Sequence, residues 1–379
     1  MIRQDFLPLS RPFMGEEESR AVAEVLASGW WTTGPKVTEF ENAFAAYLGQ
    51  GRSLYCVGLN SCSAALHLAL VALGIGPGDE VIVPTWTFAA SALTVEWAGA
   101  QPVLCDVRPD DLNIDLESAR AKLTPRTKAV MPVHIAGWPC DMDGLAAFAR
   151  EHGLRVVEDA AHAIGTTWGG RRIGSFSDVT CFSFYATKNL AMGEGGAAVS
   201  ADRDLVERIR KLGYFGINKE AFSRYERHGS WYYEVEERGF KYNLDSLHAA
   251  LGLVQLGRVE AMNARRREIA DRYRQGLSPR LAFPGGEGPH LHSRHLFLVR
   301  LPGDASRDGL MAELKLRNIG TGVHFIPLHR HPYYAAGNPA HQFPVAEAAW
   351  PQVLSLPMFP GMDDADVDYV VRHVNELVG

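Results

Sequence analysis

Lys188 follows the run Cys181-Phe182-Ser183-Phe184-Tyr185-Ala186-Thr187, an apolar stretch that ends in small polar residues and then an amine. Lysine is seldom fully buried without a partner. Where burial is imposed, desolvation lowers the pKa and leaves an amine able to attack a carbonyl and form a Schiff base. Taken alone, the segment favours a loop lysine reaching back to water after a core strand. Other residues in the chain reverse that order.

Asp159 lies in Val156-Val157-Glu158-Asp159-Ala160-Ala161-His162, just past a buried run. A carboxylate there could keep a proton on a pyridine nitrogen, so that the ring serves as an electron sink; its structural alternative is a turn or cap. His162 is either a hydrogen-bond partner in the same site or a satisfied core histidine. Asn60-Ser61-Cys62-Ser63-Ala64-Ala65 stands between a strand and a helix. Small residues, unpaired N–H groups and the helix dipole suit a phosphate there, although an ordinary serine N-cap has the same appearance. Ser183 adds a hydroxyl. Phe88, in Pro84-Thr85-Trp86-Thr87-Phe88, could stack on a flat ring or belong to the core, and Trp86 reads more strongly as core. A phosphate cup, a strand-end carboxylate and a lysine after a later strand, in that order, compose a site for pyridoxal 5′-phosphate.

These residues need a frame. Strand-like runs at 54–57, 81–84, 102–107, 129–133, 155–158, 179–184 and 197–200 alternate with helical patterns such as 63–73, 88–98 and 142–152. Continuous apolar runs separated by helices predict an α/β domain with a mainly parallel sheet covered on both faces. Its ligand is expected at the carboxyl ends of the strands. A long helical pattern over 244–273 leads into strands at 295–301 and 322–325 and helices at 307–318 and 363–377. The expected division is a large domain over 1–250, including the N-terminal segment, and a smaller C-terminal α+β domain over 251–379.

At 379 residues the chain can build a large core, and 46% hydrophobic with 22% charged residues is ordinary for a globular protein. A net charge of −6 gives no electrostatic case for nucleic acid or an anionic membrane. Arg265-Arg266-Arg267 reads as a solvated helix face. The five cysteines, Cys56, Cys62, Cys105, Cys140 and Cys181, form no CxxC pair, which points to buried thiols and away from a disulfide framework or a metal site. Met1-Ile2-Arg3-Gln4-Asp5-Phe6 has no apolar signal core, so a cytoplasmic location is expected.

The sequence resembles the DegT/DnrJ/StrS family of nucleotide-sugar aminotransferases, which are fold-type I pyridoxal-phosphate enzymes. The resemblance runs from Ser28-Gly29-Trp30-Trp31-Thr32-Thr33-Gly34-Pro35 through Pro132-Val133-His134-Ile135-Ala136-Gly137, Glu158-Asp159-Ala160-Ala161-His162 and Gly193-Glu194-Gly195-Gly196. It ends in Gly320-Thr321-Gly322-Val323-His324-Phe325 and Leu356-Pro357-Met358-Phe359-Pro360-Gly361. It implies that Lys188 is the Schiff-base lysine and catalytic base, and that Asp159 pairs with the pyridine nitrogen. Phe88 would stack on the ring, and Ser63, the Ala64 backbone and Ser183 would contact the phosphate. His162 stands where relatives often have glutamine, and Cys62 and Ser63 where they often have glycine and threonine. His324, with His329 and His331 nearby, falls in a region that lines the sugar site of relatives; surface histidine is the alternative for His329 and His331.

The family also shares its site across a homodimer. Lys241 or Asn243, in Gly239-Phe240-Lys241-Tyr242-Asn243-Leu244-Asp245, would make the contact from the neighbouring subunit, with Lys241 the aligned residue. The implied reaction moves the amino group of L-glutamate to a keto sugar nucleotide, most simply a 4-keto-6-deoxyhexose. Amination of a cyclitol ketone is a second reading. A sugar dehydratase of the same fold would carry histidine in place of Lys188. A non-catalytic regulatory protein on this scaffold would not need Asp159, Ser183 and Lys188 together.

Overall fold

The apolar runs become buried strands in the computed structural model, which describes residues 2–217, 232–285 and 288–379. In chain order they are β1 (Tyr55–Leu59), β2 (Glu80–Pro84), β3 (Gln101–Cys105), β4 (Thr127–Val130) and β5 (Arg155–Asp159). A two-residue pair, β6 (Thr167–Trp168) and β7 (Arg171–Arg172), follows, then β8 (Val179–Ser183), β9 (Gly196–Ser200), β10 (Phe297–Arg300) and β11 (Val353–Leu356). Seven of them form one sheet in the order β1-β9-β8-β5-β4-β2-β3. The pairings from β8 to β3 are parallel; β9 runs antiparallel to both β1 and β8.

This topology places the site. The carboxyl ends of β2, β5 and β8 share one edge of the sheet. Because β9 runs the other way, its first residue, Gly196, reaches that edge opposite Ser183. Successive side chains of a strand point to opposite faces. Val81 and Val83 join one core layer and Ile82 the other; Val157 and Val156, and Cys181 and Phe182, divide in the same way. The helices Cys62–Ala72 and Ala89–Trp97 cover the first face, and Pro35–Gly49 and Met142–His152 the second. Phe44 is fully buried in the second layer, edge-on to Phe182 and Phe184.

The helix Ser246–Gly276 starts at Asp245, whose carboxylate accepts the His248 N–H. Its first half packs Ala249, Val259 and Met262 into the core of the large sheet. Its second half packs Ile269, Ala270 and Tyr273 into a separate core with β10, β11 and the helices Arg307–Leu316 and Asp364–Val378. The N-terminal segment joins that second core. Leu7 is buried there, its N–H donates to Asn318 O at 2.8 Å, its carbonyl accepts from Gly320 N–H at 2.8 Å, and Leu9 O accepts from Met358 N–H.

Three expectations are corrected. Arg266 is not on a solvated face: it is 2% exposed and its guanidinium donates to Met358 O at 2.9 Å and His295 O at 3.3 Å. Residues 322–325 form no strand. Only Gly322 bridges to Ser355, and the chain then turns toward the ligand edge, where His324 Nδ1 and Ser355 Oγ lie 2.8 Å apart. His329 is buried rather than at the surface, with its ring between Thr85 Oγ1 and Glu347 Oε1, both at 2.7 Å. The five cysteines are buried and unpaired. No helix among the described residues is long and apolar enough to cross a membrane.

Candidate active site

A cavity of about 460 Å³ opens at the carboxyl edge of the sheet. Ser63, Phe88, Asp159, His162, Ser183, Lys188 and His324 all line it. The helix Cys62–Ala72 begins at its floor. Ser61 is the N-cap, accepting the Ala64 N–H at 3.1 Å, so that N–H is already partnered and the alternative reading of a serine cap holds for Ser61. Cys62 and Ser63 occupy the first two helical positions, whose N–H groups have no intrahelical acceptor. With the Ser183 hydroxyl across β9, they form a cup suited to an anion.

Gly196 makes that cup possible. A Cβ at this position would lie 2.3 Å from the Ser61 carbonyl carbon and 2.4 Å from Cys62 N, both backbone atoms that cannot swing aside. Gly196→Ala is therefore expected to displace the helix start and weaken retention of a phosphorylated ligand by about tenfold or more, since losing one or two good contacts costs ~1.4 kcal/mol or above. Dissociation of bound cofactor during dialysis, followed by absorbance, measures this.

Asp159 ends β5 and is 6% exposed. Its Oδ1 accepts the Ala161 N–H at 3.1 Å and its Oδ2 accepts the Ser91 hydroxyl at 2.8 Å. Because Ser91 uses its proton there, the Thr87 hydroxyl, 2.7 Å away, donates to Ser91. Two donors thus hold the carboxylate in a fixed position. On the other face of β5, the fully buried Glu158 accepts from His134 Nε2 at 2.8 Å and Thr180 Oγ1 at 2.9 Å. Cys140 N–H occupies His134 Nδ1, which leaves the ring proton on Nε2. This network pins the strand that carries Asp159.

Lys188 sits in a loop closed on itself: Ala186 N–H donates to Gly193 O, Lys188 N–H to Tyr185 O and Phe184 N–H to Gly195 O. Burial lowers the Lys188 ammonium to about 8, with the attraction of Asp159 opposing the shift. Burial also pushes His162 well below its ordinary value, and His324 down to about 4, with the nearby Lys188 charge adding to both. Both imidazoles are therefore neutral near pH 7. Phe88 is 61% exposed, its ring forming part of the cavity wall 5.8 Å from Phe325.

The residues fit pyridoxal phosphate on this structure's own terms. A poised amine, a fixed carboxylate, an anion cup and an uncovered aromatic face share one cavity, and His162 Nδ1 is buried without a hydrogen-bond partner. Lys241 and Asn243 lie elsewhere, hydrogen-bonded to each other, with Asn243 lining a separate groove. His329 and His331 do not line the cavity. Three lining residues, Leu9 and Ser10 from the N-terminal segment and His295, had no signal in sequence, while Phe325 and Met358 fall in the motifs that carry the resemblance but had no role assigned.

Comparison with known proteins agrees with this geometry. The profile of the DegT/DnrJ/EryC1/StrS aminotransferase family matches residues 12–375. The chain is 48% identical to the spore coat polysaccharide biosynthesis protein SpsC of Bacillus subtilis (strain 168), over 99% of this chain and 98% of that protein. Among solved structures it resembles Spr1654 of Streptococcus pneumoniae, a proposed sugar aminotransferase, in its PMP form, with 34% identity, 98% of both chains covered and a TM-score of 0.92. It also resembles DesI in the presence of its TDP-sugar product, with 32% identity, a TM-score of 0.87 and coverage of 99% of this chain and 93% of that one.

Proposed function

Because the chain belongs to the DegT/DnrJ/EryC1/StrS aminotransferase family, we propose that this pyridoxal-phosphate-dependent sugar aminotransferase takes its amino group from L-glutamate and places it on a keto sugar nucleotide. The acceptor we favour is a 4-keto-6-deoxyhexose, in the making of a surface polysaccharide or another amino sugar. The observation that carries the reading is the convergence of Lys188, Asp159, Ser183 and the Cys62–Ala72 helix start on one cavity. The kinship to a polysaccharide-biosynthesis protein and to a TDP-sugar enzyme supports the substrate class.

When bound, pyridoxal phosphate supplies an aldehyde for the amine and a ring that absorbs the electron pair of a deprotonated α-carbon. The protein supplies the rest. The cup at Cys62, Ser63 and Ser183 would bind the phosphate, and Phe88 would cover one face of the ring. Asp159, fixed by its two donors, would accept a hydrogen bond from the protonated ring nitrogen. Lys188 Nζ would hold the cofactor through its aldehyde. The same amine, when free, would serve as the base that moves the proton of the substrate α-carbon. A pKa near 8 suits an amine that must lose and regain a proton at neutral pH. Neutral His162 and His324 add hydrogen bonds without adding positive charge beside Lys188.

Incubation with glutamate and a panel of keto sugar nucleotides and cyclitol ketones tests the substrate. A product carrying a new C–N bond, with stoichiometric 2-oxoglutarate, is expected for a keto sugar nucleotide. Amination of cyclitols alone, or loss of a hydroxyl without nitrogen gain, would overturn the assignment.

We further propose a homodimer in which Lys241, or Asn243 beside it, completes the partner's cup. Lys188→Ala and Lys241→Ala chains, each inactive alone, should regain activity when unfolded together and refolded. About a quarter of the sites would then be intact, as random pairing in a C2 dimer requires. No recovery would place Lys241 in the site of its own chain or outside any site.

A further inference from the structure

We infer that Asn189 is a positioning residue: it ties the Lys188 backbone to the long helix and to the segment leading into the small domain, and it sets which nitrogen His295 presents to the cavity. The inference rests on Lys188 being the cofactor-bound residue.

Asn189 follows Lys188 directly and is 4% exposed. Its Nδ2 donates to Asn263 Oδ1 at 2.6 Å and to Ser293 O at 2.8 Å. Asn263 is in the helix Ser246–Gly276 and donates its own amide to Ile164 O at 2.9 Å. Ser293 lies in the segment leading into β10. Both protons of the Asn189 amide are thereby used, so its Oδ1 can only accept, and it lies 3.0 Å from His295 Nδ1. The His295 ring proton must then be on Nδ1. Its Nε2 carries a lone pair, and His295 lines the cavity with its ring centre 4.3 Å from that of His162. Arg266 clamps the far side of the same segment through His295 O and Met358 O.

One buried amide therefore joins three pieces of chain far apart in sequence, one of which carries the reactive lysine. Breaking any of these bonds would leave a buried polar group unpaired, so the amide resists movement of the Lys188 backbone relative to the other two pieces. A displacement of about 1 Å at a reacting atom can cost on the order of a hundredfold in rate.

The test is Asn189→Ala in the holoenzyme, read by the absorbance of the Lys188-bound cofactor as pH is varied. The groups facing Lys188 are Asp159, Cys62, His162, His295 and His324, all retained in the variant. The expected result is a titration midpoint moved by about half a unit or more, kcat down about tenfold, and the acceptor KM within about twofold. Asn113→Ala serves as the structural control. Asn113 is equally buried but bonds Pro139 O and Ile135 N away from the cavity, so its Tm should fall with the midpoint unmoved.

An Asn189→Ala protein that behaves like this control, with lower Tm and the same midpoint, overturns the inference. If Asn189→Ala does not fold, Asn263→Ala, which removes one acceptor from outside the cavity, decides by the same readout. Borohydride reduction of the wild type and peptide mass mapping separate the two levels. Label absent from Lys188 sinks the proposed function, whereas label on Lys188 with an unmoved midpoint sinks only the role of Asn189.

Discussion

Lys188→Ala is expected to reduce turnover by about 10⁵-fold or more, the scale of loss when an essential nucleophile or base is removed. The long-wavelength absorbance of bound cofactor should vanish with it, and borohydride should no longer attach the cofactor to the chain. Activity within tenfold of wild type would end the assignment. The same residue has a measurable effect on the cofactor-free protein. Its folded pKa is about 8, below the value of about 10.4 in an unfolded chain. Between those two values the unfolded chain binds the proton and the folded chain does not, so stability rises with pH across that window. Below pH 8 the charged amine costs the fold up to ~3 kcal/mol. Cofactor-free Lys188→Met should therefore resist denaturant better than wild type at pH 7, with the gap closing toward pH 10. Rebinding of cofactor by wild type should accelerate as pH rises through 8.

Asp159→Asn should be the second most damaging change. The amide keeps the shape and its oxygen can still accept the Ala161 N–H, but its nitrogen can only donate toward Ser91, and it carries no charge to hold a ring proton. Removing one fixed electrostatic partner costs about 10²–10³ in kcat, and here the partner acts in both half-reactions. Cofactor should stay bound, because the cup at Ser63 and Ser183 is untouched. A variant that loses its cofactor but keeps its specific activity on reconstitution would show that Asp159 serves binding alone. Ser91→Ala should cause a smaller loss in the same direction, since it removes one of the two donors on Asp159.

The parts of the site that were legible in sequence are those tied to a strand end. Asp159 and Ser183 each close a continuous apolar run, and such a run has one place in a covered parallel sheet. Lys188 could be placed because β8 and its closing loop are consecutive in the chain. What sequence did not show depends on meetings between distant segments. Arg266 looks like any arginine on a helix, and only the small domain folding over it reveals that its donors serve two buried carbonyls. His295 and Asn189 carry no local pattern that would join them. Residues 322–325 place Val323 and Phe325 in a strand-like alternation, yet His324 turns toward Ser355 and the cavity. β11 also escaped notice, as did the helices Glu16–Ser28 and Pro35–Gly49, the second of which supplies Phe40 and Phe44 to the core.

The docking of Leu7 and Leu9 against Asn318, Gly320 and Met358 has a consequence in the order of synthesis. Leu9 and Ser10 form part of the cavity wall, and they leave the ribosome long before the residues they bind. The strands of the large sheet are all made once β9 has emerged and the lysine loop is tied down by Asn263 and Ser293 soon after, while this early segment still waits for partners made later. The pocket is therefore closed by the joining of an early segment to one made much later. A chain stalled or truncated before Met358 would hold Lys188, Asp159 and the phosphate cup in an open trough, able to meet the cofactor but without the wall that shapes it for a sugar.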